Sequence, residues 1–587
     1  MKGVHQMNWG KKVIIILTMV SLTIPVAYVY ALSSVNTQDG GIGKSTHYLN
    51  QAPNIEIDPK VDNIIYPLLA TPAIKKKGTS LTVQVDTKGK ESAGWDVKIN
   101  QTENSGVEGE FTLPITNVEK GSSHWKNSSS IYNVTVSIPD DIAENLYDLE
   151  INYTANGTRV KDEEPNSVKV VNEFKKDFKF IHLTDIHVGS PRNISDPANA
   201  NEAGMWNPDE SKRWLYLQKT IKQVNLLKPD FVVLTGDLMF GQMNPQEYIY
   251  EYEETYRMLK KFNVPVYIVP GNHDFYAQDA TLADGAKYWE QYFGPQYYSF
   301  DYGSYAHMIG YNSFDWDKFD RQGHGTLSVP TWGGQIRDEQ MDWIKQDLAK
   351  NGQTASTDQV KGLFSHHNPI WRDKDIWPSS DPEVGEYWKE YDSQHNPQNL
   401  TTLIKGEKLG IKYDQQWHGE GANELIDIMK QYKVNIALHG HTHIDNITKQ
   451  DGILYSTTAS IELSAMPWVG YRVFQKEEDR ADFNSYIYEG PDRSMPVYQK
   501  GNTSAGVVSF ENKFALPNDG KQVTQTATVT NRLNKKITIN IPFYMKPGQY
   551  KATNGQIIEN KVYGTKQLIE IKVTIPANSS KEVTLKR

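Results

Sequence analysis

Asp185, His187, Asp237, Asn272, His273, His366, His367, His441 and His443 are the side chains of this 587-residue protein best suited to chemistry. They fall in five short blocks: Thr184-Asp185-Ile186-His187, Gly236-Asp237, Gly271-Asn272-His273-Asp274, His366-His367 and Gly440-His441-Thr442-His443. Each block follows an apolar, strand-like run. The chain has no Cys, so the donors are carboxylates, imidazoles and an amide oxygen, the usual ligands of Mn, Fe or Zn in hydrolytic sites. Asp185 and His187 stand two apart and can turn toward one ion. Asp237 has two oxygens and can bridge two cations, with Gly236 allowing the tight turn that brings it inward. Asn272 supplies a neutral oxygen, and His273 beside it stays free for substrate. His441 and His443 flank Thr442, so each can serve a different ion. Singly, Asp-x-His or Gly-Asp is a common turn or cap; all five blocks in order, each at a strand end, point to two divalent metal ions held close together.

The elements that must position these residues are legible as a rhythm. Strand-like runs at 178–184, 231–235, 266–269, 362–365 and 434–438 alternate with amphipathic helical stretches at 211–227, 252–262, 338–348 and 423–432. Strands alternating with helices predict an α/β domain, in which ligands gather beyond the carboxyl ends of the strands. Residues 66–173 and 491–587 show period-two alternation broken by turn residues, which predicts an immunoglobulin-like β-sandwich before the α/β domain and a second β-sandwich after it. The α/β domain then covers 174–490, and 32–65 reads as a linker. Residues 372–420 are rich in Trp, Tyr, Asp and Pro without periodicity, the composition of a functional loop.

Lys11 and Lys12 precede an uncharged apolar run at 13–29, followed by Val29-Tyr30-Ala31. Residues 1–31 read as a signal peptide or a membrane anchor. The run is about 17 residues long and holds Pro25, short for a bilayer span, which favours cleavage. The expected location is secreted or at the cell surface, with membrane attachment through 13–29 where cleavage does not occur. Asn127, Asn133, Asn152 and Asn156 head Asn-x-Ser/Thr sequons and mark a surface open to glycans. A net charge of −9 argues against a nucleic acid as structural partner, though not against a phosphate ester substrate, since bound metals invert the local field.

In type and order the five blocks resemble those of the calcineurin-like metallophosphoesterase superfamily: Asp-x-His, Gly-Asp, Gly-Asn-His-Asp/Glu, a lone His and Gly-His-x-His. The resemblance spans roughly residues 176–475 and extends to Tyr298-Ser-Phe-Asp-Tyr-Gly and Glu339-Gln-Met-Asp-Trp-Ile. It implies an αββα sandwich flanked here by the two β-sandwich domains. It also implies one metal held by Asp185, His187, Asp237 and His443, and a second by Asp237, Asn272, His441 and His367. His367 stands two residues before Pro369, where the family's ligand often lies; His366 is the alternative. Phosphate esters would be hydrolysed by a metal-bridging hydroxide, with Asp237 and His273 as catalytic residues. Purple acid phosphatases have Gly and Tyr where this chain has His187 and Phe240, so it resembles the Asp-x-His branch and should lack a tyrosinate-to-iron band.

The resulting expectation is an exported dinuclear-metal phosphoesterase with a slight preference for diesters, because nothing places Arg192, Arg321 or Arg372 at the metals, where a monoester dianion would need a cation. The alternatives are an acid-phosphatase-like monoesterase, or a cell-surface binding or scaffold protein with an inactive phosphoesterase fold. His182, His307 and His439 read as packed or structural, and His324 and His418 as loop residues. Trp206, Trp371, Trp377 and Trp417 read either as a lid or as loop packing.

Overall fold

Two facing β-sheets carry all five blocks. The computed structural model describes residues 57–189, 213–241, 245–276, 285–317, 321, 333–353, 359–370, 417, 419–462, 468–476, 485–486, 494–499 and 509–587. Residues 1–31, Arg192, Arg372, His324, His418, Trp206, Trp371, Trp377 and nearly all of 372–420 lie outside the described residues. Among the described residues no helix is long and apolar enough to cross a membrane.

The first sheet contains β1 (Lys179–Leu183), β2 (Phe231–Thr235) and β3 (Val266–Val269), all parallel. The second contains β4 (Tyr298–Tyr302), β5 (Ala306–Gly310), β6 (Val360–Phe364), β7 (Ile436–His439), β8 (Asn446–Gln450) and β9 (Ile453–Thr457). Its order is β4-β5-β6-β7-β9-β8, parallel at the centre and antiparallel at both edges. The chain then returns to the first sheet with β10 (Trp468–Gln475), antiparallel to β1, followed by β11 (Ser485–Tyr486) and β12 (Met495–Gln499), both paired with β10.

Strands buried on both faces read as continuous apolar runs, and these strands divide their side chains between two cores. Phe180, Phe231, Val233 and Phe474 of the first sheet meet Met308, Val360, Phe364 and Leu438 of the second. On the other face of the first sheet, Ile181, Leu183, Val232 and Leu234 pack with Leu217, Ile221 and Val224 of α1 (Leu215–Leu227) and Tyr252 and Leu259 of α2 (Pro245–Leu259). Outside the second sheet, Leu363, Ala437 and Tyr455 pack with Ile344 and Leu348 of α5 (Asp338–Asn351) and Leu425 and Met429 of α6 (Ala422–Gln431). Two short helices, α3 (Asn272–Phe275) and α4 (Gly285–Tyr292), follow β3. The layers are helix, sheet, sheet, helix: the expected αββα sandwich.

Helix starts depart from the sequence-based ranges for physical reasons. Trp214 has φ 52°, a left-handed backbone that no helix continues through, so α1 begins at Leu215 rather than 211. α2 begins at Pro245 instead of 252; Pro suits a first helical position, whose N–H has no intrahelical partner anyway.

Both flanking regions are strand-rich sandwiches. In the N-terminal one, a four-stranded and a five-stranded sheet enclose a core that includes Val83, Ile99, Val134 and Ile151. Its first strand, Ile64–Tyr66, pairs with Ser80–Asp86 and buries Ile64 and Ile65, so paired chain begins before residue 66. β12 likewise carries the central sheet past residue 490, and the C-terminal strands begin with Phe510–Phe514. The three regions touch one another. Asn166 Nδ2 donates to the Lys260 and Phe262 carbonyls, at 3.1 and 3.0 Å. Lys228, just past the end of α1, pairs with Glu570. Tyr544 OH donates to the Ser105 carbonyl, and Val107 and Ala143 pack with Tyr563 and Leu568.

Candidate metal centre

Every candidate residue sits just beyond the carboxyl end of a strand: Asp185 and His187 after β1, Asp237 after β2, Asn272 and His273 after β3, His366 and His367 after β6, His441 and His443 after β7. Backbone bonds stitch these loops together. Asp185 N–H donates to the Gly236 carbonyl at 3.1 Å, His187 N–H to Asp237 O at 3.0 Å, and Gly440 N–H to His366 O at 2.9 Å.

The loops are sharply bent. Asp185, His187, Asp237, His441 and His443 all have positive φ, between 39° and 69°. Such a conformation costs a non-glycine residue about 1–2 kcal/mol, and its concentration on these five side chains is the pattern expected where strain serves a site. The block glycines have a second role, close approach. A Cβ on Gly271 would come 2.2 Å from Asp237 Oδ1, one on Gly440 1.9 Å from Thr184 Oγ1, and one on Gly236 2.8 Å from His366 Nδ1.

Two ligand groups result. Asp185, His187, Asp237 and His443 bring one donor atom each within 4.8 Å of one another, and so do His366, His367 and His441. Asp237 lies between them: its Oδ2 is 3.2 Å from His187 Nε2 and 3.0 Å from His366 Nε2, while its Oδ1 accepts the His273 N–H at 3.0 Å. His443 Nε2 is 3.1 Å from Asp185 Oδ1, and His441 Nδ1 is 3.2 Å from His366 Nε2. Asn272 Nδ2 donates to Tyr276 OH at 2.8 Å, but its Oδ1 is buried without a hydrogen-bond partner. A buried carbonyl oxygen in that state is costly, and a cation is a fitting partner for it. The donor set therefore suits two hard or borderline divalent ions.

The electrostatics agree. Burial alone would raise the buried Asp185 and Asp237 carboxyls. The His443 and His366 imidazoles instead hold Asp185 at about 2, and His366 and His273 hold Asp237 well below its ordinary range. His366, which burial would lower, is pushed up to about 9 by Asp237 and Asp185. The two carboxylates thus favour positive charge beside them, on the His366 ring or on a cation in its place.

The two adjacent histidines differ in support. His366 Nδ1 faces the Thr235 carbonyl at 2.7 Å, leaving Nε2 toward Asp237. His367 Nδ1 faces Ser313 Oγ at 3.0 Å, and its ring lies 4.2 Å from that of His441. His273 Nδ1 contacts the Phe240 carbonyl, and its Nε2 is 3.9 Å from Asp237 Oδ2. Burial drives His273 down to about 4, with Asp237 opposing.

Several residues around the centre carry no block signature. Thr184 Oγ1 donates to Asp185 Oδ2 at 2.6 Å, Ser313 supports His367, and Glu462 Oε1 lies 3.2 Å from His187 Nδ1. They are distant in sequence or ordinary in type; only the adjacency of Thr184 to Asp185 was visible beforehand. Arg321 NH1 and Nε donate to the Phe275 and Trp316 carbonyls, and Trp417 packs in the core under α5 and α6. His182 Nε2 is 2.9 Å from Thr235 Oγ1, His307 lies between two carboxylates, and His439 Nδ1 is 3.2 Å from Ser365 Oγ. All three are buried.

The family model for calcineurin-like phosphoesterases matches residues 178–445, a span that takes in all five blocks. The chain is similar to the DNA double-strand break repair protein Mre11 of Archaeoglobus fulgidus, at 33% identity over 103 residues, 18% of this chain and 21% of that one. The Mre11 of Methanococcus maripaludis is 30% identical over 98 residues, 16% of this chain and 23% of the relative. The chain thus spans only about a fifth of the length of these curated relatives. A solved purple acid phosphatase from yellow lupin seeds covers 68% of each chain at 13% identity, with a TM-score of 0.33.

Proposed function

We propose that this protein is an exported phosphoesterase that uses two divalent metal ions, Mn, Fe or Zn, to hydrolyse phosphate esters, diesters in preference. The observation that carries the reading is the Asp237 carboxylate, buried between two converging ligand groups with the orphaned Asn272 oxygen at hand. Asp185, His187, Asp237 and His443 would hold the first ion. Asp237, Asn272, His441 and His367 would hold the second, with His366 the competing imidazole. When bound, the ions would polarise the phosphoryl oxygens and supply a hydroxide at neutral pH.

The residues of the chain then divide the remaining work. Asp237 would fix the spacing between the two halves of the site. His273, its Nδ1 committed to the Phe240 carbonyl, presents Nε2 to the substrate side. An arriving phosphate anion would favour its imidazolium, which can donate to the leaving oxygen. An inactive scaffold would have no use for five strained ligand positions.

The diester preference rests on charge. A monoester dianion calls for extra cations, and Arg321 and Arg472, both buried, direct N–H groups at carbonyls and at Asp445. The names of the two Mre11 relatives place them on DNA, itself a phosphodiester, but the acidic balance of this chain suits a smaller substrate better. Export, by signal cleavage or by anchoring through 13–29, and glycans on the N-terminal sandwich belong to the same proposal.

The test is hydrolysis of bis-p-nitrophenyl phosphate and p-nitrophenyl phosphate by the Mn-loaded protein, with Asp237→Asn as control. Activity that disappears in the variant supports the reading, and the faster substrate decides between diester and monoester. Two bound ions with no turnover of either would reject both simple substrates; no bound ion would overturn the proposal.

A further inference from the structure

The loop after β9 reaches back over the first ligand group. Ile461 N–H donates to the carbonyls of Thr184 and Asp185, at 3.3 and 3.2 Å, so this loop is sewn to the backbone of the Asp-x-His block. Its near end is also fixed, since Asp445 Oδ1 accepts the Ala459 N–H at 3.0 Å and the Thr458 hydroxyl at 3.1 Å. Ser460 Oγ donates to the Glu462 carbonyl. Glu462 is thereby delivered beside His187, with Oε1 3.2 Å from Nδ1. That Nδ1 is buried and makes no hydrogen bond of standard geometry, while Nε2 of the same ring faces Asp237 at 3.2 Å.

From this arrangement we infer that Glu462 is a positioning residue for the first metal site: it accepts the Nδ1 proton of His187, and so fixes the tautomer whose Nε2 lone pair faces the ion. A metal-binding imidazole commonly donates its other N–H to a carboxylate, which orients the ring and raises its basicity. A small turn of either side chain completes the bond here. The backbone bonds at Ala459 and Ile461, just before it, already hold Glu462 in this place. His187 is 2% exposed and the Glu462 side chain 18%, so the pair sits at the edge of the buried site.

The inference depends on the two-metal reading, and the experiment separates the two. The whole protein, stripped of metal, is titrated with Mn(II) alone by calorimetry, as wild type, Glu462→Ala and Glu462→Gln. Thermal unfolding of the three metal-free proteins is recorded beside it. Two ions should bind in every case. In Glu462→Ala one of the two dissociation constants should rise about 10- to 100-fold, with the other unchanged. Glu462→Gln keeps an acceptor oxygen and should stay near wild type. Equal metal-free melting points exclude a merely structural role. If wild type binds fewer than two ions, the two-metal reading fails. If wild type binds two and Glu462→Ala matches it, the role of Glu462 is refuted. Loss of a whole ion in both variants would make Glu462 a ligand and refute positioning. Should the Ala variant not fold, Glu462→Gln decides: weakening at one site as severe as the range above would overturn the hydrogen-bond assignment, and near-wild-type affinity would support it.

Discussion

Asp274 Oδ1 accepts the backbone N–H of Leu238 at 2.8 Å, which ties the end of the Gly-Asn-His-Asp block to the loop that carries Asp237. The same carboxylate accepts Met239 N–H at 3.0 Å and Gly271 N–H at 2.7 Å. It is therefore a clamp between two ligand loops. Asp274→Ala would leave three amide groups without this acceptor, and a buried donor left unmade costs about 1–3 kcal/mol. The expected result is a loss of about 3 kcal/mol in denaturant unfolding, together with weakened Mn(II) binding. Unchanged stability would remove the clamp from the account.

The block glycines give a second prediction. Gly271→Ala and Gly440→Ala would each force a methyl carbon against Asp237 or Thr184. Displacements of about 1 Å at a reacting centre cost roughly 100-fold in rate. Both variants should lose at least about that much of kcat on the better aryl phosphate, as seen in steady-state assays. Gly352→Ala, at φ −59° and with the nearest atom 3.4 Å from the new Cβ, should keep full activity.

His307 supplies a pH dependence remote from the metals. It lies 2.8 Å from both Asp301 and Asp347, joining the β4–β5 hairpin to α5. Burial alone would lower it, but the two carboxylates push it up to about 9. A raised imidazole contributes stability that is whole below its unfolded value near 6.5 and is lost as pH climbs through 9. Unfolding free energy should fall by about 1–3 kcal/mol over that window, a range discounted because Asp301 is largely exposed. His307→Gln should flatten the fall in urea titrations taken at successive pH values.

Asp445 gives the sharpest stability test. Its Oδ1 accepts from Arg472, Thr458 and Ala459, and its Oδ2 from Trp468 and from the Ser494 amide and hydroxyl. Arg472 is 2% exposed. Asp445→Ala removes the carboxylate that faces a buried guanidinium, and breaking such a pair costs about 3–5 kcal/mol. The expected observation is a large fall in melting temperature, with partial recovery in Asp445→Asn. A neutral outcome would mean that Arg472 finds another acceptor.

The convergence of the five blocks was legible because strands restrict place: Asp185 and Asp237 belong to two short patterns after two apolar runs, which form β1 and β2. The clamp of Asp274 was hidden inside a block whose other members do the chemistry. Glu462 was invisible, since it comes beside His187 only through the pairing of Ile461 with Thr184 and Asp185 across 276 positions of chain. β12 was misplaced for a related reason. Met495–Gln499 is apolar enough for any sheet, and only β10 decides which sheet it joins. Local pattern tells what a segment is, but long-range pairing decides where its side chains go.

The C-terminal sandwich lies against α1 on one side and the N-terminal sandwich on the other. Its strands run from Phe510 to Lys586. During synthesis the αββα layers therefore leave the ribosome with the outer face of α1 bare, and that face is covered only after residues 510–586 have followed. A stop codon just before Phe510 would spare all five blocks and still yield a protein with an open greasy flank. Such a product should be caught by quality control or aggregate long before its chemistry is tried.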